Sequence, residues 1–190
     1  MTKKYQVIYS DPPWPEKDNV AFNVNVKHKV PGAVSHYSLM TMKDLKTMPM
    51  DNVVDRDGCV LFIWSPYRHI RMMLDLCEAW GFTFKTIGFV WVKITKNNKL
   101  EYNPGWHTKS NSEPCWIATC GRVPIPKNGS VHQVVFAPIT KHSEKPYEVN
   151  KRINTLYPTL NKLEMFARKK CKGWDVWGNE VKSDINLSTS

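Results

Sequence analysis

The chain has 190 residues, 42% of them hydrophobic and 12% aromatic, and this composition excludes an intrinsically disordered protein. Lys and Arg outnumber Asp and Glu by 27 to 17, giving a formal net charge of +10 that is typical of proteins that bind polyanions. The apolar runs are too short to span a bilayer and the N-terminus lacks the apolar core of a signal peptide, so we expect a cytoplasmic protein, or a nuclear one in a host that has a nucleus.

Continuous β-branched and aromatic runs predict seven strands along the chain. They cover residues 5–10, 58–64, 86–93, 114–120, 132–137, 161–167 and about 174–177. Because these runs do not alternate apolar and polar residues, we expect central strands that are covered on both faces.

Helical patterns lie between the predicted strands, over residues 41–48, 67–81 and 144–158. The first begins at a possible Thr cap, the second ends on Gly81, and the third has Pro146 in its first turn. Strands that alternate with helices predict an α/β fold with a mostly parallel sheet. We predict a single domain over residues 1–182, followed by a polar, frayed tail over residues 183–190.

Two long segments, residues 15–36 and 96–112, match neither pattern and are rich in Asn, Lys, His, Pro and Gly. Loops of this length in a compact domain usually carry function. Basic residues are interleaved with aromatic ones, and the chain has eight tryptophans. This combination favours nucleic-acid binding, in which aromatic rings stack on bases while cations hold phosphates. A charge that serves solubility alone is the alternative.

The five cysteines and six histidines are scattered, without a CxxC pair or an HxxxH spacing. A disulfide framework and a structural metal site are therefore not predicted. Cysteines inside apolar stretches are expected to be core residues.

The stretch SDPPW, residues 10–14, directly follows the first predicted strand. Pro12 and Pro13 have no N–H group, so the turn presents acceptors, namely the Asp11 carboxylate and the Pro12 carbonyl. Two rigid, convergent acceptors suit an NH2 group, and Trp14 adds a flat face on which a heterocycle can stack. The exocyclic amine of a nucleobase fits this description. An ordinary Asp-Pro turn beside a buried tryptophan is the alternative.

A nucleobase amine is a weak nucleophile because its lone pair is delocalised into the ring. Acceptors on its hydrogens would favour a tetrahedral nitrogen and stabilise the positive charge that develops there. SDPPW resembles the catalytic motif of amino-group methyltransferases that use S-adenosylmethionine.

Further stretches resemble one family in particular, the N6-adenine methyltransferases related to the catalytic subunit of the eukaryotic messenger-RNA adenosine methyltransferase (the MT-A family). They are HYSLMTMKDLKTMP, GCVLFIWSPYRHIRMMLDLCEAWGFTFKTIGFVWVK, SNSEPCWIATCG, SEKPYEVNKRI and KLEMFARKKCKGWDVWGNE, in the family's order and spacing from about residue 5 to residue 181. The resemblance implies a Rossmann-like methyltransferase sheet in permuted motif order, with the catalytic segment first and the cofactor-binding strand last. If the strand at 5–10 neighbours the strand at 161–167, SDPPW and EMFAR face each other across one cleft.

The resemblance also implies roles for individual residues. The implied catalytic residues are Asp11, Pro12, Pro13 and Trp14. The implied contacts of S-adenosylmethionine are Asp11, Lys145, Glu164, Phe166, Arg168, Asn179 and Glu180. The implied contacts of the target adenine are Trp14, Tyr37, Glu113 and Lys145, and no metal is implied. Taken without the resemblance, Arg168 is one more member of a basic patch, Glu180 a solvated residue and Glu113 an ordinary strand-start carboxylate.

The chain departs from the eukaryotic enzymes in two places. The segment KKCKG after Arg168 is shorter and more basic than theirs and lacks their ribose-contacting asparagine, and only ten residues precede Asp11. This compact form resembles prokaryotic or phage members and shifts the expected substrate from messenger RNA to DNA. We expect the protein in the cytoplasm of a bacterium or of a phage-infected cell.

Three functions compete at this point. Methylation of adenine N6 in DNA leads, the same reaction on RNA is the alternative, and the third is a non-catalytic partner subunit that binds nucleic acid. The intact DPPW argues against the third, since a scaffold would need neither the acid nor the rigid acceptors. We assign the loops 15–36 and 96–112 to contacts with the nucleic-acid backbone and flanking bases. Because no segment is large enough for a separate recognition domain, specificity resides in loops or in a second subunit, and a homodimer is possible.

Overall fold

The computed structural model describes residues 3–15, 40–102, 104–105, 107–140 and 144–187. The strands are β1 Val7–Ser10, β2 Gly58–Trp64, β3 Thr83–Ile94, β4 Ser112–Gly121, β5 Val134–Pro138, β6 Lys162–Met165 and β7 Asp175–Trp177. The α-helices are α1 Met42–Lys46, α2 Ile70–Ala79 and α3 Tyr147–Leu156, and short 3₁₀ helices cover Met50–Asn52 and Tyr67–His69. Tyr37 and residues 16–36 of the first long segment lie outside the described residues.

The seven strands form one sheet in the order β5-β3-β4-β2-β1-β6-β7. β1 pairs in parallel with β2 on one side and with β6 on the other, and the pairs β6–β7 and β3–β5 are also parallel. β4 runs antiparallel to both of its neighbours, β2 and β3. The expectation of an α/β fold with a mostly parallel sheet is confirmed, and the antiparallel strand β4 makes the sheet a mixed one.

The sheet separates two hydrophobic clusters, and alternate residues of its central strands point into each. Ile8 of β1 joins the cluster that contains Met73 and Leu76 of α2. Tyr9 of β1 joins the cluster that contains Val149 and Ile153 of α3. Helices therefore cover both faces, which explains why β1 and β2 are buried along their whole lengths.

The expectation that every predicted strand is covered on both faces is wrong for β5 and for Thr86, the first residue of the strand predicted at 86–93. β5 is an edge strand, and Phe136 at its centre is 65% exposed. Residues 83–86 at the start of β3 are exposed as well. An apolar run therefore overstates burial where the strand lies at or near the sheet's edge.

The sequence signals for helix ends are largely confirmed. Thr41 caps α1 in a reciprocal capping box. The Thr41 hydroxyl accepts from the backbone N–H of Asp44, and the Asp44 carboxylate accepts from the backbone N–H of Thr41. Gly81 follows α2 with φ of +74°, and the N–H groups of Gly81 and Phe82 close the helix on the carbonyls of Glu78 and Cys77. α3 begins later than predicted, because Pro146 has an extended backbone and precedes the first turn.

Residues 183–187 are packed, in contrast to the frayed tail that the polar sequence predicted. Leu187 is only 6% exposed and joins the core cluster on the α2 side. The Asp184 carboxylate accepts from the backbone N–H of Val176 in β7 and from the Lys170 ammonium. Within the described part of the chain, no helix is long and apolar enough to cross a membrane.

Candidate active site

The carboxyl ends of β1 and β6 bring SDPPW and EMFAR together. In the parallel register Ser10 lies opposite Met165, so the two segments leave the sheet side by side. Beyond them lies an open cleft, lined by residues that include Asp11, Lys145, Asn150, Glu164, Phe166 and Arg168. This is the edge of an α/β sheet at which ligands bind.

The DPPW turn is anchored from the neighbouring strand β2. Trp14 Nε1 donates to the backbone oxygen of Trp64 at the end of β2, at 2.9 Å. The Trp14 ring lies 6.2 Å from that of His69 and packs against the core cluster on the α2 side. Pro12 is buried, and Asp11 keeps partial access to the cleft. The turn therefore holds its carboxylate at a fixed place.

Four alternating charges form a chain beside this turn. Lys145 Nζ lies 2.9 Å from Asp11 Oδ2 and 3.1 Å from Glu113 Oε1. Lys93 Nζ lies 2.9 Å from the second Glu113 oxygen, Oε2. The side chains are well buried, with exposures of 10% for Lys145, 13% for Glu113, 19% for Lys93 and 26% for Asp11.

Burial and the neighbouring charges act in opposite directions on the pKa values of Asp11, Glu113 and Lys145. Burial raises the pKa of Asp11, and Lys145 only partly offsets this. Burial also acts to raise the pKa of Glu113, but the ammonium groups of Lys145 and Lys93 outweigh it, so that this pKa is lowered. For Lys145 burial is outweighed by the two carboxylates, and its pKa is raised. Lys145 therefore stays charged, and Asp11 is the acid that protonates more readily than usual.

Another carboxyl group that lines the cleft is that of Glu164 on β6, which lies opposite Tyr9 of β1 in the parallel register. Its Oε2 accepts from Nδ2 of Asn150 on α3 at 3.1 Å. Burial raises the pKa of Glu164 to about 7, and the Asn150 hydrogen bond acts against that rise. A carboxylate in these surroundings can accept hydrogen bonds from the hydroxyl groups of a bound molecule.

The segment after β6 turns sharply and meets the segment after β7. Phe166 has φ of +58°, and its buried ring contacts that of Trp177 edge-on at 5.3 Å. The Ala167 N–H donates to the Trp177 carbonyl at 2.9 Å, and a Cβ on Gly178 would lie only 2.2 Å from the Ala167 oxygen. The close crossing explains why glycine follows β7 at this point.

The crossing places Arg168 beside the residues that follow Gly178. Arg168 Nε lies 3.7 Å from Glu180 Oε1, and both side chains are about one-third exposed. Asn179 is exposed. The structure thus brings Glu180 to Arg168, which lines the cleft, and Asn179 directly precedes Glu180 in the chain.

The structure places most of the sequence-predicted site residues in one region. The cleft wall includes Asp11, Lys145, Glu164, Phe166 and Arg168, and Glu113 contacts Lys145. Sequence reasoning missed Lys93 and Asn150. Lys93 ends the strand predicted at 86–93, and the antiparallel register of β3 with β4 would have placed it near Glu113. Asn150 is a buried polar residue directly after Val149, which the helical spacing had assigned to the core.

The arrangement can present two fixed acceptors to an amine beside a charged lysine, with the carboxylate of Glu164 in the same cleft. In the described ranges no group of three His, Cys, Asp or Glu residues could hold a metal ion. The chemistry that these residues themselves offer is hydrogen bonding and electrostatic stabilisation.

Known proteins match the chain over almost its whole length. The model of the family MT-A70 matches residues 5–180. The chain is 34% identical over 192 residues to the type II methyltransferase M.MunI of Mycoplasma sp, covering 94% of this chain and 78% of that protein. It is 27% identical to the human N(6)-adenine-specific methyltransferase METTL4 and 23% identical to the human N(6)-adenosine-methyltransferase catalytic subunit METTL3. It spans only 38% and 28% of these two human proteins.

Proposed function

The chain belongs to the MT-A70 family, and from this we propose that it transfers the methyl group of S-adenosylmethionine to N6 of adenine in DNA. The observation that carries the proposal is the anchored DPPW turn, whose Asp11 carboxylate opens into the cleft beside Lys145. DNA is preferred because M.MunI, of which the chain covers 78%, is a type II methyltransferase.

We propose for the cleft the cofactor contacts that the sequence resemblance implies. S-adenosylmethionine, the methyl donor of this family, supplies an electrophilic methyl group when it is bound. Lys145 suits its carboxylate and Glu164 suits its ribose hydroxyls, since each pairs a charge with a complementary group. Arg168, Asn179 and Glu180 are the proposed contacts of its ribose and adenine. β6 is then the cofactor-binding strand and β1 the catalytic strand, the permuted order of a Rossmann-like methyltransferase sheet.

The residues of the turn act on the amine of the target adenine. Lys145 holds Asp11 Oδ2, which leaves Oδ1 and the Pro12 carbonyl as acceptors for the two N6 hydrogens. These acceptors stabilise the positive charge that develops on N6 as the methyl group arrives. Trp14, Tyr37 and Glu113 are the proposed contacts of the base, which must leave the duplex stack to reach them.

The test is methyl transfer from labelled S-adenosylmethionine by the purified chain. Unmethylated genomic DNA, its denatured single strands and transcripts of the same sequences are the substrates, and the nucleosides are separated after digestion. We expect N6-methyladenine in DNA. Label that appears in the transcripts alone would move the proposal to RNA, and no methyladenine in any substrate would overturn it.

Asp11→Ala is the matched variant. Removal of an acceptor aimed at the developing charge should lower the transfer rate by about 100-fold or more. Binding of S-adenosylmethionine, measured by calorimetry, should change by a few-fold only, because Lys145 keeps Glu113 as its partner. Full activity in this variant would contradict the role of the turn.

A further inference from the structure

We infer that Lys93 is a positioning residue for the methyl-transfer site, acting on Asp11 through Glu113 and Lys145. The inference rests on the proposed function and adds a residue to it. Lys93 lies on β3, which β4 and β2 separate from β1, and it reaches the site through the side chain of Glu113 on β4.

The two oxygens of Glu113 have separate partners. Oε1 lies 3.1 Å from Lys145 Nζ, and Oε2 lies 2.9 Å from Lys93 Nζ. Two partners on opposite oxygens fix the rotation of the carboxylate, which a single lysine would leave free. Lys93 therefore sets the direction in which Glu113 presents Oε1 to Lys145.

Lys93 is itself held in place before any ligand binds. Its ammonium lies 4.9 Å from the centre of the Trp91 ring, and the indole N–H of that ring donates to the Ala137 carbonyl of β5 at 2.8 Å. The Lys93 backbone N–H donates to Asn111 and its carbonyl accepts from Glu101, both at 2.8 Å. A long flexible side chain that is held at both ends loses little further entropy when it positions its neighbour.

The balance of charge explains why this lysine matters to Asp11. With Lys93, two ammonium groups face two carboxylates in a well-buried chain. Without it, Asp11 and Glu113 would share Lys145 alone, and two carboxylates near one another raise each other's pKa. Lys145 would be drawn towards Glu113, and Asp11 would lose part of the contact that keeps it ionised.

Other groups also face this chain of charges, and they stay the same in each variant. Those that contribute to the titration of Asp11, Glu113 and Lys145 or that respond to it are Tyr9, Cys115, Glu164 and Arg168. Their contributions cancel when a variant is compared with the wild type at each pH.

Lys93→Met tests the inference, since it keeps the length of the side chain and removes the charge. Carboxyl-carbon NMR titration should show the pKa of Glu113 raised by about one unit or more, and that of Asp11 raised as well. The acid limb of the kcat/KM profile should move to higher pH, with a loss of at least about tenfold near pH 6 and recovery to within about threefold near pH 9. A purely structural role would lower activity equally at every pH.

Three further variants make the outcome decisive. Lys93→Arg keeps the charge and should restore most of the wild-type pH profile. In a Glu113→Gln background, Lys93→Met should cause no further shift, because the carboxylate that it neutralises is gone. Lys85→Met, at the opposite exposed end of β3, should leave both titrations unchanged.

The NMR titration separates this inference from the proposed function. If the wild type transfers no methyl group, the proposed function fails while the titration still reports on Lys93. If transfer occurs and Lys93→Met leaves both carboxyl titrations and the acid limb where they are, the positioning role is wrong.

Discussion

Asp11 and Glu164 are two carboxyl groups in the cleft whose pKa values are raised chiefly by burial, but their partners differ. Burial disfavours the charged form of each. Asp11 has a charged partner in Lys145, whereas the partner of Glu164 on α3 is the neutral amide of Asn150. Glu164 therefore titrates at about 7, and its charge varies within the physiological range.

This titration predicts a pH dependence of cofactor binding. Below about pH 7 Glu164 is protonated and loses acceptor strength, so the affinity for S-adenosylmethionine should fall as the pH drops and level off above about pH 8. Glu164→Gln should bind more weakly than the wild type at pH 8 but with little change between pH 6 and pH 8. Calorimetry over this range is the measurement, with Glu78→Gln on the exposed face of α2 as the control. A wild-type affinity that is constant through pH 7 would contradict the role of Glu164.

At the scale of single residues, the sequence predicts the site residues that belong to a local motif. SDPPW predicts a carboxylate among rigid acceptors, and EMFAR places Glu164 and Arg168 together by adjacency alone. Lys93 and Asn150 were missed because their roles depend on strand register and on helix orientation, which no short motif encodes.

At the scale of elements, the sequence predicts the strands and helix ends well and their surroundings less well. The capping box at Thr41 and the glycine cap at Gly81 are local devices, and both form as their sequences predict. Exposure of β5 depends instead on its place at the sheet's edge. The packing of residues 183–187 depends on Leu187 reaching a core that β1 and β6 build.

The crossing of the segments after β6 and β7 makes Gly178 a sensitive position. In Gly178→Ala the new methyl group would lie 2.2 Å from the Ala167 oxygen and 2.7 Å from its nitrogen, so the backbone must move. We expect a loss of about 1–3 kcal/mol in the free energy of unfolding and weaker binding of S-adenosylmethionine, because Arg168 follows directly. Urea denaturation and calorimetry check the two effects.

Gly129→Ala is the matched control for that variant. A Cβ at Gly129 would meet nothing within 4 Å, so this change should alter the free energy of unfolding by less than about 0.5 kcal/mol. Equal stability of the two variants would show that the crossing tolerates a side chain.

At the scale of the whole molecule, the sheet order joins parts of the chain that are far apart in sequence. β1 and β6 are separated by more than 150 residues and pair directly, which creates the cleft. The sequence analysis gives this pairing only as the condition under which SDPPW and EMFAR share a cleft, because strand propensity alone does not define which strands pair. In the β3–β4 hairpin, Lys93 and Glu113 lie at the end next to the connecting segment.

Part of the net charge of +10 is carried by exposed lysines of this hairpin. Lys96, Lys99 and Lys109 are exposed on the segment between β3 and β4. Tyr102 is 67% exposed there, and the Lys109 ammonium lies 3.8 Å from the centre of its ring. Cations beside an exposed aromatic ring suit a nucleic-acid backbone with stackable bases, so we expect phosphate contacts at this hairpin.

Salt dependence distinguishes a localised contact from general attraction by net charge. Each phosphate contact with duplex DNA contributes about 0.9 to the slope of log K against log salt. Replacing the three hairpin lysines with Gln should therefore lower the slope by about 2–3, measured by fluorescence anisotropy between 50 and 200 mM salt. The matched control replaces Lys85, Arg122 and Lys127, exposed residues at the opposite end of β3 and β4 and beyond, and removes the same charge. Since total charge is equal in the two variants, equal slopes would show that the hairpin makes no phosphate contacts. A lower slope in the hairpin variant alone would place the nucleic acid across the mouth of the cleft.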